Sequence, residues 1–196
     1  MPHDDTVPMT EVGARELEEL FEALGAHLRA AGTSASLLVV GGAALALRGW
    51  VHRTTQDVDV LACEVRGELV PPDLSEPLVA AVRRVARDFG VADGWLNAAV
   101  GAQWTAGLPD EASTDIEWRE YGGLRIGLAG RQALITLKLF AAVDHGLTSV
   151  HVQDMMALEA SPAELEQAKA WVLGQDLAPE FPSLVDQVVR HVQRRD

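Results

Sequence analysis

Two aspartates that lie two positions apart, Asp57 and Asp59, are of the residue type and spacing that suit metal chemistry. They belong to the segment Asp57-Val58-Asp59-Val60, in which polar and apolar residues alternate as in a strand with one wet and one buried face. Because side chains at i and i+2 point to the same side of a strand, both carboxylates face the same way. Hard carboxylate oxygens bind Mg²⁺ ions, which in turn hold phosphate oxygens. The pair therefore predicts metal-assisted phosphoryl chemistry.

A glycine pair, Gly41 and Gly42, precedes these aspartates. It follows the short apolar segment Ser36 to Val40, which indicates a buried strand that runs into a turn. Two glycines between a strand and a helix allow close backbone approach and direct free N–H groups at an anion. Each motif alone is common in ordinary turns and strands, but 14 residues between Gly42 and Asp57 make the combination far more specific. We expect a phosphate cradle here.

The glycine pair, a short helix and the two aspartates together resemble the signature of the DNA polymerase β nucleotidyltransferase superfamily, most clearly over residues 37–62. Within it, Arg53-Thr-x-x-Asp-x-Asp is similar to bacterial AbiEii-type and related uncharacterised nucleotidyltransferases, some of which are toxins of toxin-antitoxin pairs. The resemblance implies an α/β (α+β) fold, a nucleotidyltransferase-like core with a small mixed sheet and a C-terminal helical part. It makes Asp57 and Asp59 catalytic ligands of Mg²⁺ or Mn²⁺. The residues that it assigns to nucleotide binding in this segment are Gly41, Gly42, Arg53 and Thr54.

A second match to the same proteins lies in residues 133–142 and 151–158. In similar proteins a lysine within a helix and an aspartate one helix later complete the nucleotide site, which implies catalytic roles for Lys138 and Asp154. The structural alternative is a snorkelling Lys138 and a surface Asp154. Lysine occurs only twice in the chain, so general surface decoration does not explain one inside an apolar helical segment. His151 replaces the basic residues that the family carries here and is the remaining nucleotide-binding candidate.

The resemblance also implies a third catalytic carboxylate on a strand beside Asp57 and Asp59. The candidates are Asp93, Asp115 and Glu117, and the last two share one face of a predicted strand. No local motif selects one of the three.

The implied reaction transfers a nucleoside monophosphate from an NTP to an acceptor and releases pyrophosphate. The acceptor stays open between a tRNA, a protein and a small molecule, and an antitoxin is the expected partner if the chain is a toxin. The alternative is a degenerate nucleotidyltransferase that binds a nucleotide or a partner protein without catalysis.

The periodicity of apolar residues predicts the elements that position these side chains. An amphipathic helix is expected from Met9 to Ala31, and a β-hairpin around Gly122 and Gly123. Further helices are predicted over Ala43 to Gly49, Glu76 to Phe89, Arg131 to Asp144, Val150 to Glu159, Pro162 to Leu173 and Phe181 to Arg194. A boundary near residue 130 separates the core, residues 1–130, from a C-terminal helical subdomain, residues 131–196, that closes the cleft.

Composition limits the class of protein. A chain of 196 residues excludes two large domains, and its net charge of -13 disfavours a passive coating of DNA or RNA. The longest apolar segments, such as Ala35 to Leu47, are interrupted and too short to span a bilayer, so no membrane partner is expected. A single cysteine, Cys63, and an acidic N-terminal segment without an export signal predict the cytoplasm.

Overall fold

A mixed β-sheet organises the chain in a computed structural model that describes residues 11–102 and 107–194. Its strands are β1 Ala35–Val40, β2 Val58–Val65, β3 Glu68–Val70, β4 Leu96–Asn97, β5 Glu117–Tyr121 and β6 Leu124–Leu128. Their order across the sheet is β3-β2-β1-β6-β5, and the short β4 also pairs with β2. The central β1 is antiparallel to β2 and parallel to β6.

The described residues form seven α-helices and two short 3₁₀ turns. The helices are α1 Ala14–Ala30, α2 Gly41–Leu47, α3 Glu76–Phe89, α4 Arg131–His145, α5 Val150–Ala157, α6 Pro162–Val172 and α7 Phe181–Gln193. The 3₁₀ turns are Ala99–Ala102 and Asp110–Ser113. The mixed α/β class with a small mixed sheet, expected from the sequence, is confirmed.

The hydrophobic core is continuous across the position at which the sequence suggests a boundary. One cluster of buried side chains includes Leu38 on β1 and Leu134 on α4, which lie on opposite sides of residue 130. Helix α4 therefore shares its packing with the sheet. Over the described part of the chain, no helix has the length and apolar character needed to cross a bilayer.

Helix α1 packs closely against the hairpin of β5 and β6, and Gly25 makes this approach possible. The N–H of Gly123 in the hairpin turn donates to the carbonyl of Gly25 at 2.9 Å. A Cβ atom added to Gly25 would lie 1.4 Å from the carbonyl oxygen of Tyr121, far inside van der Waals contact. The crossing of helix and hairpin therefore requires glycine at this position.

Replacing Gly25 with alanine is expected to lower the free energy of unfolding by about 3 kcal/mol, because helix and hairpin must separate to admit the methyl group. Urea unfolding of the variant measures the loss. Gly94→Ala is the matched control, since an added Cβ there meets no heavy atom within 4 Å. Equal stability of the two variants would contradict the packing argument.

The structure confirms most predicted elements and corrects several bounds. The hairpin is present, and α3 spans the predicted residues. Helix α1 begins at Ala14 rather than Met9; Val12 instead forms an isolated antiparallel bridge with Thr55, and Met9 lies outside the described residues. Helix α2 begins at Gly41, so the glycine pair forms its first turn instead of a loop before it. Strands β3 and β4, of three and two residues, are too short to show a period.

Candidate active site

The two aspartates predicted to bind metal lie where β1 and β2 meet. Asp57 directly precedes β2, and Asp59, the second residue of β2, pairs in register with Val40, the last residue of β1. Because the two strands are antiparallel, the end of β1, the start of α2 and the start of β2 come together. Asp59 therefore lies beside the glycine pair, as the sequence predicts.

Side chains from the start of β2 and from the segment before it lie close to the backbone of Gly41 and Gly42, which accounts for glycine at both positions. Gly41 has a φ of +72°, and a Cβ there would lie 2.5 Å from Oδ2 of Asp59. A Cβ on Gly42 would lie 2.9 Å from Oγ1 of Thr55 and 3.1 Å from Nη2 of Arg53. A side chain at Gly41 would displace the carboxylate of Asp59, and one at Gly42 would crowd Thr55 and Arg53. The close approach of these side chains favours glycine for a reason that is independent of any role in phosphate binding.

Asp59 is in an environment that disfavours its charged form. Burial, and then the negative charge of Asp57, raise the pKa of Asp59 to about 6, while the charge of Lys138 opposes the rise. At neutral pH two negatively charged carboxylates therefore lie close together in partly buried surroundings. A cation bound between them would relieve this repulsion.

The two carboxylates fit a divalent cation that binds together with a phosphate ligand. Among the described residues no group of three or more His, Cys, Asp or Glu side chains is arranged to hold a metal ion. Protein sites for Mg²⁺ usually provide one or two carboxylates and leave the other positions to water and substrate phosphates. Asp57 and Asp59 match that pattern, and they would hold the ion.

Asn97 occupies the place beside the aspartates where the third carboxylate is expected. It lies on β4, in parallel register with Asp59. Its Nδ2 donates to Oδ2 of Asp57 at 3.3 Å, and its Oδ1 accepts a hydrogen bond from the N–H of Ala99 at 2.9 Å. Both ends of the amide are therefore engaged within the protein, and an amide cannot act as a base at this position.

The three candidate carboxylates lie elsewhere. Asp93 is exposed in the turn that precedes β4. Asp115 and Glu117 lie at the edge strand β5, which β6 and β1 separate from β2, and both contact the guanidinium of Arg48. The structure thus places Asn97, and none of these three, in register with Asp59. The sequence offers no signal for Asn97, because a two-residue strand has no periodicity.

Lys138 and Asp154 meet, as the resemblance implies, in a buried cluster with Arg53. Nζ of Lys138 lies 2.7 Å from Oδ2 of Asp154. Arg53 holds the same carboxylate with two hydrogen bonds, from Nε to Oδ1 at 2.8 Å and from Nη2 to Oδ2 at 2.7 Å. Asp154 is 1% exposed and Lys138 6%, so neither is the surface residue of the structural alternative.

The cluster carries a net positive charge next to the aspartate pair. Burial alone would raise the pKa of Asp154, but hydrogen bonds and charges of Arg53 and Lys138 outweigh it and hold the pKa below its usual range. The hydrogen bond to Asp154 raises the pKa of Arg53 against the effect of burial. One carboxylate thus neutralises one of two cations, and one positive charge remains to attract an anion.

A cavity of about 330 Å³ lies between Asp59 and Lys138 of this cluster. Its described lining includes Gly41, Asp59, Lys138 and His151. Asp57, Arg53 and Asp154 are not part of the lining. The rest of the described wall has apolar residues, together with Asp144 and His145 of α4. The apolar ones are Val40, Leu61, Ala99, Val100, Leu134, Leu137, Phe140 and Ala141. Four of the residues predicted from sequence therefore share one cavity.

The two other candidates for nucleotide binding differ in their surroundings. His151 lines the cavity, and burial, followed by the charges of Lys138 and His145, lowers its pKa to about 4. It is therefore neutral at physiological pH. Thr54 is exposed, and its hydroxyl donates to the carboxylate of Glu11. Its neighbour Thr55, which no sequence pattern singles out, is buried and donates to the carbonyl oxygen of Asp57 at 3.2 Å.

Protein-family models, curated proteins and solved structures were compared with this chain. None of them matches it. The interpretation of the site therefore depends on its own geometry.

A larger concavity of about 710 Å³ lies away from the aspartate pair. The described residues of its lining include the carboxylates of Glu64, Glu68 and Asp110 and one basic side chain, that of Arg125, which pairs with Glu64 at 3.1 Å. This acidic lining is unfavourable for a triphosphate. Volume alone does not identify the site, and we assign it to the smaller cavity.

Proposed function

We propose that this chain is a metal-dependent nucleotidyltransferase, which transfers a nucleoside monophosphate from an NTP to an acceptor. The observation that carries the proposal is the meeting of Asp59 and Lys138 in one cavity. The two residues lie 79 positions apart in sequence, on β2 and α4. A carboxylate with a second one beside it on one side, and a buried cation on the other, are what a metal-bound triphosphate requires.

Each charged group of the site has a task in this reaction. Asp57 and Asp59 would hold Mg²⁺ or Mn²⁺, whose charge offsets that of the phosphate oxygens. Lys138 supports the negative charge that develops on the triphosphate, and Asp154 holds Lys138 and Arg53 in position. Gly41 gives the phosphates room beside Asp59, since a side chain there would collide with the carboxylate.

The transfer exchanges one bond to the α-phosphorus of the NTP for another. An oxygen of the acceptor hydroxyl forms a bond to the α-phosphorus, and the bond from that phosphorus to the bridging oxygen of the β-phosphate breaks. Pyrophosphate leaves, and the hydroxyl proton passes to water. Asn97, the residue next to Asp57, has an amide that is not basic. The described surroundings of the aspartate pair therefore provide no third carboxylate to take the proton.

Incubation with each α-labelled NTP and Mg²⁺ tests the proposal, with bulk tRNA, cell protein and small hydroxyl compounds as acceptors. Label transfer and pyrophosphate release are expected for the wild type. Asp57→Ala is expected to reduce them by roughly a thousandfold, because a metal site supplies several kcal/mol of charge stabilisation. Asp93→Asn, at an exposed turn residue, is the matched control and should keep full activity. Equal activity of the Asp57 and Asp93 variants would contradict the proposal.

Asn97 favours a second candidate function, the binding of a metal and a nucleotide without transfer. In that case the wild type binds NTP in a manner that depends on Asp57 and Asp59, and no acceptor becomes labelled. Asn97→Asp would then supply the missing carboxylate, and the variant is expected to gain transfer worth roughly 10²-fold or more above background. Label transfer by the wild type would support the nucleotidyltransferase. Absence of NTP binding would contradict both the enzyme and the nucleotide-binding function.

A further inference from the structure

Helix α7 has an outer face that carries both apolar and basic side chains. Its inner face, with Val185, Val188 and Val192, is buried in the hydrophobic core. Residues at steps of three and four lie on one side of a helix, and the outer residues follow these steps: Leu184, Gln187, His191 and Arg194. Leu184 is 39% exposed, so a large apolar side chain lies at the surface of the fold.

A shallow concavity of about 270 Å³ lies where this outer face meets the turn between α4 and α5. Leu147, in that turn, lines it and is 37% exposed. The other described lining residues come from α7 and the residue after it: Gln187, Arg190, His191 and Arg194. Leu184 lies one turn before Gln187 on the same side of the helix. We call Leu147, Leu184, Arg190 and Arg194 the α7 surface.

The α7 surface differs in charge from the chain as a whole. The chain carries a net charge of -13, whereas the described lining of this concavity includes two arginines and no carboxylate. Asp186, also on α7, is paired with Lys169 of α6 at 2.6 Å. Exposed charges farther apart than about 8 Å are largely screened at physiological ionic strength, so the local charge decides which ligands bind here. A basic patch favours an acidic ligand.

We propose that the α7 surface binds an acidic segment of a partner protein that also carries apolar side chains. The apolar side chains of this segment would pack on Leu147 and Leu184, and its carboxylates would pair with Arg190 and Arg194. Arginine is enriched among the residues that dominate protein interfaces, and the surrounding apolar contacts exclude water from its ion pairs. RNA fits less well, because its phosphates would pair with the arginines and leave both leucines without an apolar partner.

The α7 surface is separate from the proposed catalytic groups but close to them along the chain. Leu147 lies between His145 and His151, which both line the cavity with Asp59. A bound partner would therefore contact the turn that ends α4 and begins α5. Because the α7 surface includes no residue of the candidate active site, it can be changed without altering the metal or phosphate contacts.

Two substitutions test the apolar and the charged part of the α7 surface separately. Leu184→Ser removes an exposed apolar side chain, and Arg190→Gln removes an exposed charge. Leu177→Ser, at a leucine that is 94% exposed in the loop before α7, is the matched control for the first. Arg83→Gln, at an exposed arginine of α3, is the matched control for the second. Thermal melting verifies that all four variants are folded.

The probe is a random peptide library displayed on phage and selected on the full chain. The selected peptides are expected to be rich in Asp, Glu and large apolar residues. Leu184→Ser and Arg190→Gln should each lower the affinity of these peptides by about tenfold or more, while both controls stay within about twofold of the wild type. Peptide binding should also weaken as the salt concentration rises.

Three results would overturn the proposal. The first is that no peptide binds, or that the selected peptides are neutral or basic. The second is that the peptides bind Leu184→Ser and Arg190→Gln as tightly as they bind the two controls. The third comes from a short single-stranded RNA as a second probe: RNA binding that is lost in Arg190→Gln and unchanged in Leu184→Ser would identify a nucleic-acid surface instead.

Discussion

Millimolar Mg²⁺ with an NTP is expected to raise the melting temperature of the wild-type chain by several degrees and to leave that of the double variant Asp57→Asn, Asp59→Asn unchanged. A ligand at a hundred times its dissociation constant stabilises the folded state by about 2.7 kcal/mol. For a chain of this size each kcal/mol shifts the midpoint by roughly 2–4 °C. Thermal scans with metal alone, NTP alone and both together measure the effect.

Without metal, the single variant Asp59→Asn should be more stable than the wild type above about pH 6. The pKa of Asp59 is raised to about 6, above its unfolded value near 4, so the folded state prefers the protonated carboxyl. The wild type therefore loses stability as the pH rises through this interval, whereas Asp59→Asn does not. At pH 8 without metal, Asp59→Asn should melt above the wild type.

Asp93→Asn controls for the loss of one carboxylate at an exposed site and should respond to metal and NTP as the wild type does. A wild-type midpoint that does not move with metal and NTP, or that moves equally in the double variant, would contradict the metal site.

The parts of the fold that sequence predicts are those fixed by local patterns. The alternation around Asp57 and Asp59 and the glycines at Gly41 and Gly122 each report the conformation of a few neighbouring residues, and the strands and the hairpin follow from them. Helix α1 shows the limit. Its apolar period continues to Val12, but a backbone pairing with Thr55, 43 residues away, takes that residue into a bridge. A tertiary hydrogen bond overrides the helical pattern there.

The candidate site also has a part that local patterns predict and a part that depends on contacts between distant residues. Local patterns predict the glycine pair after one strand and the two aspartates on the next. They do not predict the antiparallel pairing of β1 and β2 that brings Asp59 to the end of β1. Asn97 reaches Asp57 through a strand of two residues, and the contact of Arg53 with Asp154 spans 101 residues. Neither contact leaves a local pattern. The family resemblance implied that Arg53, Lys138 and Asp154 belong to one nucleotide site but did not predict that Arg53 contacts Asp154.

Asp154→Asn is expected to lower the free energy of unfolding by about 3–5 kcal/mol, the usual cost of removing one partner from a buried ion pair. Lys138 is 6% exposed and would be left as a buried cation with a neutral amide for a partner, and Arg53 would lose its bidentate acceptor. Urea unfolding at pH 7 measures the loss. Asp186→Asn is the matched control, because Asp186 pairs with Lys169 at 2.6 Å on the surface, where removing the charge should leave stability nearly unchanged.

The pH dependence of that loss identifies its cause. The folded-state pKa of Asp154 is lowered, so its contribution to stability is fully present above the unfolded value near 4 and disappears as the pH falls through the folded value. The difference between wild type and Asp154→Asn should therefore be largest at neutral pH and shrink in acid. A loss of side-chain packing alone would give a difference that is independent of pH. That result, or a loss no larger than that of Asp186→Asn, would contradict the role of Asp154 as the carboxylate that holds Lys138 and Arg53 beside the cavity.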